Sequence, residues 1–281
     1  MQLIGIAQEW ISGFSGSAGT AIVFKDSKAL LFTDGRYHQQ AERELSSEWS
    51  LVPFGKPDVK NWNEYLSTMA DTRIGIDPAL FAIADYQSIE PTLRQGSELK
   101  PVQDNLIDLT WPDRPERPKH EVYTQDMKYA GKSTGDKIKE LRTVLSEKSA
   151  SGIIIAMLDE VAWVLNLRGS DIDYNPVFFS FLYIPLAGEP TLFVDIDKLP
   201  QPVYENISSQ RIRVEPYDSV FDFAKKLSAS LGKEEKIVVP NRTNYALASA
   251  IGLDKIHVLR SRVADLKAIK NDGMFNSTER D

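Results

Sequence analysis

Five segments in the first half of this 281-residue chain are answered, in the same order, by five in the second. TAIVFKDSKALLFTD (residues 20–34) answers FFSFLYIPLAGEPTLFVD (residues 178–195), so Asp34 corresponds to Asp195. WSLVPF answers IRVEPY, KNWNEYLSTM answers DSVFDFAKKL, RIGIDP answers KIVVPN, and DYQSIEPTL answers NYALASAI. Chance produces one such match, but five in one order mean a duplicated unit. Within each copy apolar, β-branched runs alternate with helical patterns, so the expected class is α/β, a mixed sheet with flanking helices.

The copies are unequal. Ahead of its hairpin the second has an amphipathic helix capped by Ser133 or Thr134, with an apolar stripe at Ile138, Leu141, Val144 and Leu145. A wholly apolar run, Gly152–Leu158, follows as a buried strand, and then a helix over Asp159–Leu167 that Asp159 is expected to cap. The first copy has only about a dozen residues ahead of Gly13. A sheet lacking a central strand and a covering helix leaves open edges and apolar faces. The first domain is therefore expected to be truncated by roughly 50 residues, through a lost exon or decay. Pro112, Pro115 and Pro118 stiffen the segment between the copies. The expected division is a first domain over 1–110, a linker over 111–125, a second domain over 126–265 and the start of a further linker over 266–281.

Trp10–Glu44 organises the first copy: glycines at 13, 16 and 19, the hairpin, an Asp34-Gly35-Arg36 turn, then a helix with Tyr37, Ala41 and Leu45 on one face. Gly35 is expected to supply a positive φ and Asp34 to bond the backbone beyond it. GxGxxG, GxxxxGK[ST] and GxSxG are all absent, so the loop reads as a place of close backbone approach to a sheet.

A formal net charge of −7 speaks against nucleic-acid and anionic-membrane partners, and with no cysteine there are neither disulfides nor thiolate metal sites. A secretory signal pattern and a membrane-length apolar run are both missing, so an intracellular soluble protein is the expectation. His38, His120 and His257 stand apart from any second ligand at metal spacing. Arg168, Asp171 and Asp173 suggest a structural Arg–Asp network, or else a contact surface. The Asn276-Ser277-Thr278 sequon is expected to be accidental. Composition and spacing alone designate no active site.

Several stretches together resemble the aminopeptidase P group of the creatinase, or pita-bread, family, especially its fungal members. They are ISGFSGSAGTAIV, TDGRYHQQA, NLIDLTWPDRPERP, MLDEVAWVLNLRGSDIDYNPVFFS and VADLKAIKN, in family order over about residues 11–272. The resemblance implies two tandem creatinase N-terminal-like domains, the first truncated, with the pita-bread catalytic domain absent. It implies a parent activity that releases the N-terminal residue from short peptides with proline in second position. It also implies two Mn²⁺ in the full-length enzyme, a homodimer and a cytoplasmic location. The five metal ligands belong to the catalytic domain, so no catalytic residue, metal ligand or cofactor is assigned to this chain, which is expected to be inactive alone. One functional position carries over: Arg36, as a substrate-binding arginine, with a structural salt bridge as its other reading. The alternatives for the chain are a stand-alone protein-binding module or a remnant folding only over about residues 121–265.

Overall fold

The computed structural model describes residues 2–270. The sequon at 276–278 and the last part of the expected exit linker lie outside them. The elements run α1 (Gln2–Ser12), β1 (Thr20–Val23), β2 (Ala29–Thr33), α2 (His38–Glu44), β3 (Trp49–Pro53), α3 (Trp62–Leu66), β4 (Arg73–Ile76), α4 (Ile83–Ile89) and β5 (Glu98–Pro101). They continue with β6 (Tyr123–Thr124), α5 (Met127–Ala130), α6 (Thr134–Glu147), β7 (Gly152–Ile155), α7 (Leu158–Leu165), β8 (Leu167–Arg168), β9 (Ser180–Pro185) and β10 (Thr191–Val194). The last are α8 (Gln201–Ser209), β11 (Arg213–Pro216), α9 (Val220–Ser230), β12 (Ile237–Pro240), α10 (Tyr245–Ile251), β13 (Ile256–Leu259) and α11 (Arg262–Ala268). Two compact units result, one of the described residues up to Phe81 with Asp85–Arg114, the other of Ala82–Ala84 with the described residues from Pro115 onward.

The second unit is built on a six-stranded sheet ordered β11-β10-β9-β7-β12-β13. Period-two alternation divides its side chains between two cores. Ile153, Ile155, Leu182, Ile184, Leu192 and Val194 point to one face, where α6, α7 and α8 contribute Leu141, Leu145, Val161 and Ile207. Ile154, Phe181, Tyr183, Phe193, Ile237 and Val239 point to the other, against Val220 and Ala224 of α9 and Leu247, Ala248 and Ile251 of α10. Central strands buried on both faces must be apolar throughout, which is why Gly152–Ile155 shows no alternation in sequence. Ser133 caps α6, its hydroxyl accepting from Asp136 N at 3.1 Å.

In the first unit the duplication is visible strand by strand. β1–β2 is an antiparallel hairpin and β2–β3 a parallel pair, as are β9–β10 and β10–β11. β4–β5 is parallel, like β12–β13. Yet these strands form separate sheets of three and two, and among the described residues no strand joins them as β7 joins β9 to β12 in the second unit. Their core joins Leu66, Ile76, Ile89 and Leu99 with Ile22 of β1. A second cluster, Phe14, Leu31 and Ala41, lies beneath the glycine loop. Trp10 of α1 stacks on Trp111 with ring centroids 5.3 Å apart.

One buried cation in the second unit forms no ion pair among the described residues. Lys137 of α6 is 1% exposed; its Nζ donates to Trp163 O at 2.8 Å and to Asn166 Oδ1, and lies 4.2 Å from the Trp163 ring centroid. It thereby closes the C-terminal end of α7, where Asn166 takes the left-handed conformation (φ 54°). Burial, assisted by the positive charges of Arg168 and Lys132, lowers its pKa to about 8. An unfolded lysine titrates near 10.4, so between about pH 8 and 10 the unfolded chain binds more protons than the folded one. Stability therefore rises with pH across that window, by at most about 3 kcal/mol. Urea unfolding at fixed ionic strength should show this rise, and Lys137→Met should flatten it.

Candidate functional site

The Asp34–Tyr37 turn leaves the end of β2, the strand whose Leu31 and Phe32 are fully buried. Asp34 Oδ1 accepts from Arg36 N at 3.1 Å, the Asx geometry that tightens the turn, and Tyr37 N donates to Asp34 O at 3.0 Å. The Arg36 side chain folds back on the same carboxylate, Nε to Oδ1 at 2.9 Å and Nη2 to Oδ2 at 2.7 Å. This bidentate pair uses one edge of the guanidinium, and the side chain remains 69% exposed. The Arg36 guanidinium holds the Asp34 carboxyl down at about 2. It also lies over the Tyr37 ring, 5.2 Å from the centroid.

Gly35 has a different role from the one the sequence suggests. It is not among the glycines with positive φ, and a Cβ there would meet nothing within 4 Å. The Asx bond and the Tyr37 N to Asp34 O bond close the turn without it. The demanding glycines lie in the preceding loop. Gly13 has φ +73°, the left-handed region that terminates α1. At Gly16 a Cβ would stand 2.1 Å from Cζ of Phe14, itself fully buried. Phe14 meets Tyr37 edge-on with centroids 6.0 Å apart, and the Tyr37 hydroxyl lies 2.5 Å from Ser17 Oγ. Glu44 accepts from Ser15 N and Ser15 Oγ, each at 2.9 Å, which ties the loop to α2 and lowers the Glu44 pKa. Loop and helix thus fix Tyr37, and Tyr37 carries Arg36.

The same turn recurs after β10 with its polarity changed. Asp195 Oδ1 accepts from Asp197 N at 3.2 Å and Lys198 N donates to Asp195 O at 3.1 Å, so Asp197 holds the place of Arg36 and Lys198 that of Tyr37. Lys198 is buried and pairs with the equally buried Asp171. Asp171 Oδ2 also accepts from Phe179 N at 2.7 Å. The expected Arg168–Asp171 network is therefore replaced by a Lys198–Asp171 pair: Arg168 instead donates from Nη1 to Ala162 O (3.0 Å) and Leu167 O (2.8 Å), at the end of α7. Asp159 is not the α7 cap either, that position belonging to Met157, and it pairs with Lys267 of α11. The Lys198–Asp171 pair anchors a tight turn in which Asn175 N donates to Ile172 O at 3.0 Å and Tyr174 is fully exposed at φ 61°. A cleft of about 430 Å³ opens beside it, lined in part by Arg117, Phe179, Asp195, Asp197 and Tyr217.

His38 Nε2 lies 3.1 Å from Thr33 O at the start of α2, and His257 is in β13. Among the described residues no group of three or more His, Cys, Asp or Glu side chains is placed to hold a metal ion, so the two metals of the resemblance have no fitting donor set here. No described helix is long and apolar enough to cross a membrane.

Comparison with known proteins covers nearly the whole chain. The creatinase/prolidase N-terminal domain matches twice, over residues 5–109 and 113–273. A probable Xaa-Pro aminopeptidase P from Laccaria bicolor is 44% identical over 268 residues, which is 93% of this chain and 41% of the relative. One from Aspergillus niger is 45% identical over 276 residues, 94% of this chain and 44% of the relative. The chain thus spans less than half the length of these relatives. The crystal structure of an X-prolyl aminopeptidase from Caenorhabditis elegans, described as a cytosolic enzyme with a di-nuclear active site, superposes with a TM-score of 0.88 at 32% identity. That superposition covers 96% of this chain and 45% of that one.

Proposed function

Because the chain belongs to the creatinase/prolidase N-terminal domain family, we propose that it is the non-catalytic N-terminal portion of an Xaa-Pro aminopeptidase. Its part would be to shape access to a catalytic domain rather than to cleave. The observation that carries this is the match over 93–94% of this chain against only 41–44% of the Laccaria and Aspergillus relatives. The parent activity would be removal of the N-terminal residue from short peptides with proline in second position, by a two-metal site, taken as Mn²⁺, on the remaining part of the enzyme. A cytoplasmic setting, a homodimer and the domain limits given above belong to the same reading.

Arg36 is the substrate-facing group in this proposal. The support for it is geometric: the turn presents an exposed guanidinium whose outer edge is free to take a peptide carboxylate or carbonyl oxygen, while Asp34 keeps it oriented. The test is hydrolysis of Arg-Pro-Pro with Mn²⁺ by the purified chain, and again after mixing with the separately produced remainder of the Aspergillus niger relative. The chain alone should be silent and the mixture active. Cleavage by the chain alone would overturn the proposal. In the active mixture Arg36→Ala should lower kcat/KM by roughly 10- to 100-fold, mostly through KM, with Arg36→Lys intermediate and neither altering the chain's unfolding curve. An unchanged kcat/KM would leave Arg36 as a structural ion pair only.

A further inference from the structure

We propose that the open edges of β1 and β4 form a strand-acceptor site in the first unit. It would take an extended, uncharged apolar segment that follows an amphipathic helix. The second unit shows what occupies this place in the same fold. There β7 separates β9 from β12, antiparallel to the one (Ile153↔Ile184, Ile154↔Tyr183, Ile155↔Leu182) and parallel to the other (Ile237↔Gly152, Val238↔Ile153). β1 and β4 are the counterparts of β9 and β12, and among the described residues each is paired on one side only, β1 to β2 and β4 to β5.

Burial follows the pairing. Every residue of β12 and all but the last of β9 are buried. None of β1 is, Val23 being 56% exposed, and only Ile76 is buried in β4. The two edges still belong to one body, since Ile22 of β1 packs in the same cluster as Ile76 and Leu99. By the correspondence with β9 and β12, main-chain groups on both edges would pair with the same incoming strand.

The duplication sets the register. An incoming strand would begin opposite Ile74, place its second residue between Val23 and Gly75, and run on past Ile22 to Ala21. Because β7 is buried along its whole length, the fitting segment is apolar at every position rather than at alternate ones. A charged residue at the second or third position would carry its charge into the core, which selects against polar and alternating strands. Edge-to-edge pairing of two β1 strands from separate copies would satisfy one edge and leave β4 open, so a second copy is the poorer occupant.

The test joins residues 132–157, the α6–β7 sequence, directly ahead of Gln2 of the full chain, because β7 leads into α7 in that way in the second unit. Hydrogen exchange is followed at Thr20–Val23 and Arg73–Ile76. In the unfused chain these amides should exchange faster than those of β9 and β12, at any protein concentration. In the fusion they should slow roughly tenfold or more. A fusion carrying Ile154→Asp in the added segment alone should return them to the rate of the unfused chain. Slow exchange in the dilute unfused chain, protection that grows with concentration, or equal protection by the Ile154→Asp fusion would each overturn the proposal. So would a folded fusion whose β1 and β4 amides exchange as before.

Discussion

Lys198→Ala should lower the unfolding free energy of the second unit by about 3–5 kcal/mol. Lys198 is 2% exposed and its ion-pair partner Asp171 3%. Removing the ammonium leaves a carboxylate in the interior that retains only the Phe179 amide as a donor, since its Oδ1 has no hydrogen-bond partner. Lys198→Met should cost nearly as much, because restoring apolar volume does nothing for the stranded charge. Lys198→Met combined with Asp171→Leu should recover most of the loss, leaving about 1–3 kcal/mol for the unpaired Phe179 amide. Urea titrations of the four proteins at pH 7 complete the cycle. A single-variant loss below about 1 kcal/mol would mean that Asp171 is rescued by water or a proton and does not depend on Lys198.

Gly16→Ala is the second large effect, and it joins stability to the candidate site. The added methyl would lie 2.1 Å from the Phe14 ring, which has no exposed side to move toward. Overpacking of this kind costs about 1–3 kcal/mol, and the contact is close enough to place it at the upper end. The displaced ring is the one Tyr37 meets edge-on, so the Arg36 turn should shift as well. Phe14→Leu in the same chain frees room for the methyl, and the double variant should lose less than the sum of the singles. Gly35→Ala is the internal control, with open space around its Cβ and no positive φ, and should be neutral in the same melt. A Gly16→Ala protein that melts with the parent would mean that Phe14 is not held as described.

The strands and the repeat were legible because periodicity, turn residues and repetition agreed, and the Ser133 cap and the buried strand Gly152–Ile155 are where those signals put them, whereas strand order and direction came only with the structure. Pro200 and Pro202 obscure α8 in the sequence, yet they occupy its cap and first turn, where a missing N–H costs nothing. The Lys198–Asp171 pair was invisible because its partners are 27 residues apart, in an Asx turn and a loop with no shared motif. Arg168 drew attention only by standing near Asp171 in sequence. Lys137 sits at an unremarkable position of an amphipathic helix, and only the left-handed end of α7 explains why its charge is buried. Arg36 was legible only through the resemblance, since an Asp-Gly-Arg turn by itself says nothing about a ligand.

The stack of Trp10 on Trp111 has a bearing on the order in which the first unit is made. Its two rings are a hundred residues apart, near opposite ends of that unit, and closing so long a loop is entropically costly before other contacts reward it. During synthesis α1 emerges early, but its exposed tryptophan gains this partner only after β5 and the segment beyond it have left the ribosome. The helix must therefore wait through the making of the whole unit, and a chain halted before residue 111 would display Trp10 to whatever it meets first.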